Sequence, residues 1–198
     1  MIIFASGNRG KLTEAREVAS EFPDLKILSP LEYLEIQRTA GNPPVIEESG
    51  KNYSENAMIK AQAYFTWSQV PCLADDSGLE VDSLGGEPGL HSARYAGEGV
   101  DFTKNVEKLL NNLQGVKDRR ACFRSVLVCK ISQESYLTAQ GELLGNIALA
   151  PSGKGGFGYD PVFIPDGYSE SLAELKGRGD RIATHRVKAL RKLFTELL

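Results

Sequence analysis

The sequence predicts an α/β protein on a mixed sheet flanked by helices, with parallel units first and antiparallel strands later. Three observations carry that prediction. An apolar run, Ile2 to Ala5, passes through a glycine turn into an amphipathic helix, the strand-loop-helix pattern of a parallel unit. A long alternating, β-branched run from Arg119 to Ile131 is followed at hairpin distance by Tyr136 to Glu142, an expected antiparallel partner that Gly145 to Leu149 continues. The end of the chain places Val187, Leu190, Leu193, Phe194 and Leu197 at helical spacing.

Composition bounds the function. The 198 residues suit one domain with its own core, and neither 41% hydrophobic nor 25% charged residues departs from globular values. A formal net charge of −3 argues against a polyanion-binding surface, so nucleic acid is not an expected partner. Three cysteines, Cys72, Cys122 and Cys129, sit in apolar runs without metal-site spacing, which fits a reducing cytoplasm. The apolar start stops at Ser6, far short of a signal or membrane-spanning segment, so no membrane association is expected.

Taken in order, Ile2 to Ala5 reads as the first strand, Ser6-Gly7-Asn8-Arg9-Gly10 as a turn, and Lys11 to Phe22 as a helix with Leu12, Ala15, Val18, Ala19 and Phe22 on one face. A glycine loop opening a helix offers backbone N–H groups and a positive dipole end to an anion, and Lys11 adds charge. A plain turn with a surface lysine explains the segment equally well. Leu25 to Leu28 reads as a second strand, Ser29 to Gly41 as loop, and Pro43 to Ile46 as extended. Glu47 and Glu48 then form an acidic pair in a polar loop. Asn52 with Glu55 marks a helix start, and the helix, about Tyr53 to Trp67, carries Lys60.

Pro71 to Ala74 reads as a strand ending at Asp75-Asp76-Ser77-Gly78, with Leu79 to Val81 as a neighbouring strand. Two adjacent carboxylates repel, and a divalent cation or a proton would relieve them. Gly85 to Gly89 reads as a turn, Leu90 to Tyr95 as one helical turn, and Asp101 as the cap of a helix carrying Phe102, Val106, Leu109, Leu110 and Leu113. Gly155-Gly156-Phe157-Gly158-Tyr159-Asp160 presents an aromatic on a glycine loop, a stacking platform for a base, with Asp160 as acceptor. The alternative is a hairpin turn with both aromatics packed inward. Thr184 reads as the cap of the last helix, leaving His185 and Arg186 in its first turn, where cations are unfavourable unless they serve as donors to a ligand.

Five of these stretches, in order and in one register, resemble the inosine/xanthosine triphosphate pyrophosphatase family: Ser6 to Lys11, Glu47 to Ala61, the stretch from Leu73, Gly155 to Pro161, and His185-Arg186. The resemblance implies an elongated mixed sheet in two lobes with a central active-site cleft, the chain crossing between lobes, and a homodimer. It implies hydrolysis of ITP, dITP and XTP to monophosphate and pyrophosphate with Mg²⁺. By the same resemblance Asp76 is the general base and a metal ligand, Glu47 a second ligand, and Ser77 a substrate contact. Ser6, Gly7, Asn8, Arg9, Gly10 and Lys11, with Lys60, hold the triphosphate, and Phe157, Gly158, Tyr159, Asp160, His185 and Arg186 take the rest of the substrate. Donors from His185 and Arg186 would satisfy a 6-oxo base and reject the 6-amino group of adenine.

Two positions depart from the family pattern. Asp180 stands where relatives carry a substrate-contacting lysine, among Lys176, Arg178 and Arg181, and Thr184 stands where serine is common. Two other readings stay open: an aspartate-nucleophile phosphatase releasing orthophosphate, and a nucleotide-sensing module without turnover.

Overall fold

Residues 1–37, 41–99 and 101–198 are described by the computed structural model. Six strands, β1 (Ile2–Phe4), β2 (Ile27–Leu28), β3 (Cys72–Val81), β4 (Arg120–Lys130), β5 (Tyr136–Ile147) and β6 (Phe163–Pro165), form one open sheet in the order β2-β1-β3-β4-β5-β6. β1 runs parallel to both β2 and β3, while β5 and β6 are antiparallel. The sheet is therefore mixed, as the sequence predicts. The helices are α1 (Arg9–Ala19), α2 (Pro30–Ile36), α3 (Tyr53–Ser68), α4 (Phe102–Asn112), α5 (Leu172–Arg178) and α6 (His185–Leu197).

The chain divides into two units, one of Met1–Asp76, Ser125–Gly141 and Arg186–Leu198, the other of Ser77–Arg124 and Glu142–His185. In the first unit, strand alternation sorts the core into two layers. Phe4, Leu73, Leu127 and Cys129 pack with Ala15 and Val18 of α1 and Leu190, Leu193 and Phe194 of α6. Their neighbours in sequence face the other way: Ala5, Ala74 and Val128 pack on Ala57 and Ala61 of α3, and Ile3 and Cys72 on Tyr33 and Phe65. The second unit buries Leu79, Val81, Phe123 and Leu143 with Val106 and Leu109 of α4 and Leu172 of α5.

Three expectations need correction. Pro30–Ile36 of the predicted loop is a helix: Ser29 caps it, Glu32 closes a capping box, and Pro30 occupies the first turn. Arg38, Thr39 and Ala40 of that predicted loop lie outside the described residues. The two predicted strands around Asp75-Asp76-Ser77-Gly78 are one, so the acids sit inside β3 and not at its end. β1 pairs with β3 at Cys72 and Leu73, and the acids, of low strand propensity, continue β3 beyond that pairing with β4 as the neighbouring strand. β5 likewise runs unbroken through Gly145, where an added Cβ would meet the carbonyl of Ile164 on β6.

Candidate active site

Because successive residues of a strand point to opposite faces, Asp75 and Asp76 do not share one site. Asp75 follows Leu73 onto the α1/α6 face, and Asp76 follows Ala74 onto the α3 face. Each meets its own lysine, Lys11 at 2.9 Å and Lys60 at 2.8 Å. The repulsion expected to recruit one shared cation is relieved by two separate ones.

Asp75 lies in a closed charged network. Its side chain is fully buried, accepts from Ser125 Oγ at 2.6 Å and from Arg186 Nε at 2.8 Å, and Arg186 also pairs with the buried Glu14 of α1. Burial alone would raise the Asp75 carboxyl; Arg186 and Lys11 overcome it and hold it well below the usual carboxylate range. Burial lowers the Lys11 ammonium, with Asp75 opposing. Arg186 is thus a counter-ion to two carboxylates, where the sequence suggested a donor to a base.

Asp76 has a different setting. Lys60 Nζ donates to Asp76 Oδ1 at 2.8 Å and to Glu48 Oε1 at 3.0 Å, and Asn56 Nδ2 lies 3.3 Å from Asp76 Oδ2. Asn56 also accepts from Gly50 N at 2.8 Å, tying the acidic loop to α3. Burial pushes the Asp76 carboxyl above its ordinary value although Lys60 opposes it. The Lys60 ammonium is held above its ordinary value because the two carboxylates outweigh burial.

The donor set suits a hard divalent cation. Asp76 and Glu48 are carboxylates within reach of one ammonium, and Mg²⁺ is held by one or two carboxylates together with phosphate oxygens and water. Among the described residues no three His, Cys, Asp or Glu side chains converge in metal-binding fashion, so any such cation draws the remaining ligands from elsewhere. Glu48, not the exposed Glu47, is the loop acid that shares Lys60 with Asp76.

At the start of the chain the predicted turn is shorter. α1 begins at Arg9, with Asn8 Oδ1 accepting from Lys11 N at 3.1 Å and Ser6 Oγ accepting from Asn8 N at 3.1 Å. Ser6 and Gly10 are half-buried, Gly7, Asn8 and Arg9 exposed, and Lys11 reaches inward to Asp75. A helix opening here presents its dipole to an anion. Ser77, half-buried, is the next residue of β3.

The second unit holds the aromatic loop. Tyr159 packs inward, its ring against Phe102 at 5.0 Å and its hydroxyl donating to Ser92 O at 2.9 Å. Phe157 stays half-exposed. So the inward-packing alternative holds for Tyr159 and fails for Phe157, and the segment is a loop and 3₁₀ turn, not a hairpin. Gly158 adopts a φ of 67°, which a residue with Cβ would resist. Asp160 is buried and accepts from Phe157 N and from Lys176 Nζ, both at 3.0 Å. His185 is buried, its ring stacked on Phe123 at 4.8 Å and 9°. Sequence reasoning missed Glu14, Ser125 and Asn56, and named Lys176 only as one of the basic residues around Asp180. Asn56 was findable, since it lies one helical turn before Lys60 on the same face; Ser125 and Glu14 join only through the fold.

A model of the Ham1 family matches residues 2–196. A dITP/XTP pyrophosphatase of Treponema denticola is 41% identical over 192 residues, 96% of this chain and 94% of that protein. One of Bacillus subtilis is 40% identical over 194 residues, 96% of this chain and 93% of that protein. Among solved structures, a HAM1 protein from Coxiella burnetii superposes with a TM-score of 0.84 at 36% identity, covering 99% of this chain and 97% of that one. With the sequence matched end to end and the same mixed sheet, the chain belongs to the Ham1 family.

Proposed function

We propose that this protein hydrolyses non-canonical purine nucleoside triphosphates, ITP, dITP and XTP, to the monophosphate and pyrophosphate, removing them from a cytoplasmic nucleotide pool. The observation that carries the reading is Asp76: a buried carboxylate raised by desolvation, steered by Lys60 and Asn56, beside a second acid, in a chain about 40% identical to proteins named dITP/XTP pyrophosphatases.

Phosphoryl transfer needs charge neutralisation and in-line placement of water more than covalent help. Asp76 accepts the proton of the attacking water, whose oxygen bonds the α-phosphorus as the bond to the bridging oxygen breaks, and pyrophosphate departs with that electron pair. A carboxylate above its ordinary value is the better base for this step. Lys60, Lys11 and the start of α1 offset phosphate charge. Bound Mg²⁺, held by Asp76 with Glu48 or Glu47, would supply further charge neutralisation and polarise the water. Phe157 and Asp160, with His185, are assigned to the base, Ser77 to the substrate near the base catalyst, and Tyr159 and Gly158 to shaping the aromatic loop. A homodimer belongs to the same reading, and a sedimentation mass of one chain would remove it.

Incubation of ITP, XTP, dITP, GTP and ATP with Mg²⁺ tests the proposal. ITP should give IMP and pyrophosphate. Release of IDP and orthophosphate would make the protein a phosphatase, and ITP binding without turnover would make it a sensor.

A further inference from the structure

The loop that carries Phe157 is built on α5. Gly155 N donates to Ala173 O at 3.1 Å, and Ser171 Oγ donates to Ser152 O at 2.7 Å while capping the helix. A Cβ at Gly155 would meet the carbonyl oxygen of Ala173 at 2.6 Å, so loop and helix backbones are in direct contact. From that helix one cation reaches the loop. Lys176 Nζ stands 3.0 Å from Asp160 Oδ2 and 5.3 Å from the centre of the Phe157 ring, with its side chain 20% exposed. The neighbouring cation is engaged elsewhere: Arg178 pairs with Asp180 and Glu170.

Lys176 Nζ lies over one face of the Phe157 ring, and a purine is wider than a phenyl ring, so a base stacked on that face overhangs it and brings its 1- and 6-edge towards that ammonium and its carboxylate partner. The groups there are a buried carboxylate, an acceptor, next to an ammonium, a donor. A 6-oxopurine presents the matching order, an N1–H donor beside an O6 acceptor. Adenine presents the reverse order, an N1 acceptor beside a 6-amino donor.

Resting on the pyrophosphatase reading of this site, we propose that Lys176 determines base specificity by donating to the 6-oxo oxygen while Asp160 accepts from N1–H. An ammonium carries three donors on a rotatable stem and can serve Asp160 and a base oxygen together. Lys176 thereby does from α5 the work that Asp180, turned to Arg178, does not.

The test is calorimetric binding of IMP and of purine riboside monophosphate, which lacks any 6-substituent, to wild type, K176M and K176R. K176M should weaken IMP by about 10- to 100-fold, the range for a hydrogen bond to a charged group, and change the unsubstituted nucleotide by less than about threefold. K176R, which keeps a donor and the charge beside Asp160, should recover part of the preference. Equal weakening of both nucleotides by K176M would show that Lys176 only props the loop, and unchanged IMP binding would remove it from the site; either result overturns the proposal. Failure of wild type to release pyrophosphate from ITP overturns the pyrophosphatase reading instead, and the ratio of the two affinities still decides the role of Lys176.

Discussion

Asp75 and Asp76 are consecutive residues of one strand, each is paired with a lysine at nearly the same distance, and their carboxyls move in opposite directions. Asp75 has two cations and a hydroxyl around it, enough to reverse the effect of burial. Asp76 has Lys60, shared with Glu48, as its paired cation and Lys11 as a weaker influence, and burial wins. The contrast separates a permanent charge, suited to holding structure, from a proton acceptor suited to chemistry. Pairing distance alone would not have distinguished them.

The sharpest way to break that contrast is to neutralise each acid in turn. Asp76→Asn should lower kcat for ITP by at least ~10³-fold, as removal of a general base does, with the melting temperature nearly unchanged. Near wild-type turnover in a pyrophosphate-release assay would end its assignment as the base. Asp75→Asn should instead destabilise the fold by about 3–5 kcal/mol in urea unfolding, because the buried Arg186 would keep its charge with one carboxylate partner removed. The sign with pH follows. A carboxyl lowered in the folded state stabilises above its unfolded value of about 4 and loses that contribution as pH falls through the folded value. The stability gap between wild type and Asp75→Asn should therefore be full at neutral pH and close in acid.

Smaller effects sharpen the same picture. Glu48→Gln should raise the Mg²⁺ concentration needed for half-maximal rate about tenfold or more, and Glu47→Gln should do less, since Glu48 is the acid that shares Lys60 with Asp76. Equal effects, or the opposite order in a Mg²⁺ titration, would return the ligand role to Glu47. Phe157→Ala should raise KM for ITP by about 10-fold, the size of a lost base-stacking contact, with little change in kcat. A fall in kcat alone would place Phe157 outside the base site.

Much of this was legible because it is local. Strand-loop-helix order, the Asn52 and Asp101 caps and the apolar faces of α1, α4 and α6 all follow from short-range pattern. The α2 helix was read as loop although Ser29, Pro30 and Glu32 spell a capping box, because a seven-residue helix leaves little periodicity. The partners of the charged residues were not legible. Arg186 stands 111 positions from Asp75 and 172 from Glu14, and no sequence pattern says which face of the sheet an ion will choose. The unbroken run of β3 through two aspartates was invisible for the same reason, since pairing partners supplied what propensity withheld.

The backbone contact between Gly155 and α5 bears on how base preference can change in this family. A Cβ at Gly153 or Gly155 would run into the α5 backbone and one at Gly156 into Asp160, so substitutions at those glycines are filtered by sterics before they can be tested for function. The exposed turn of α5 carries no such restriction. New base preferences, whether selected in a library or by descent, should therefore accumulate on the helix that supports the loop rather than at the glycines of the loop proposed to stack the base.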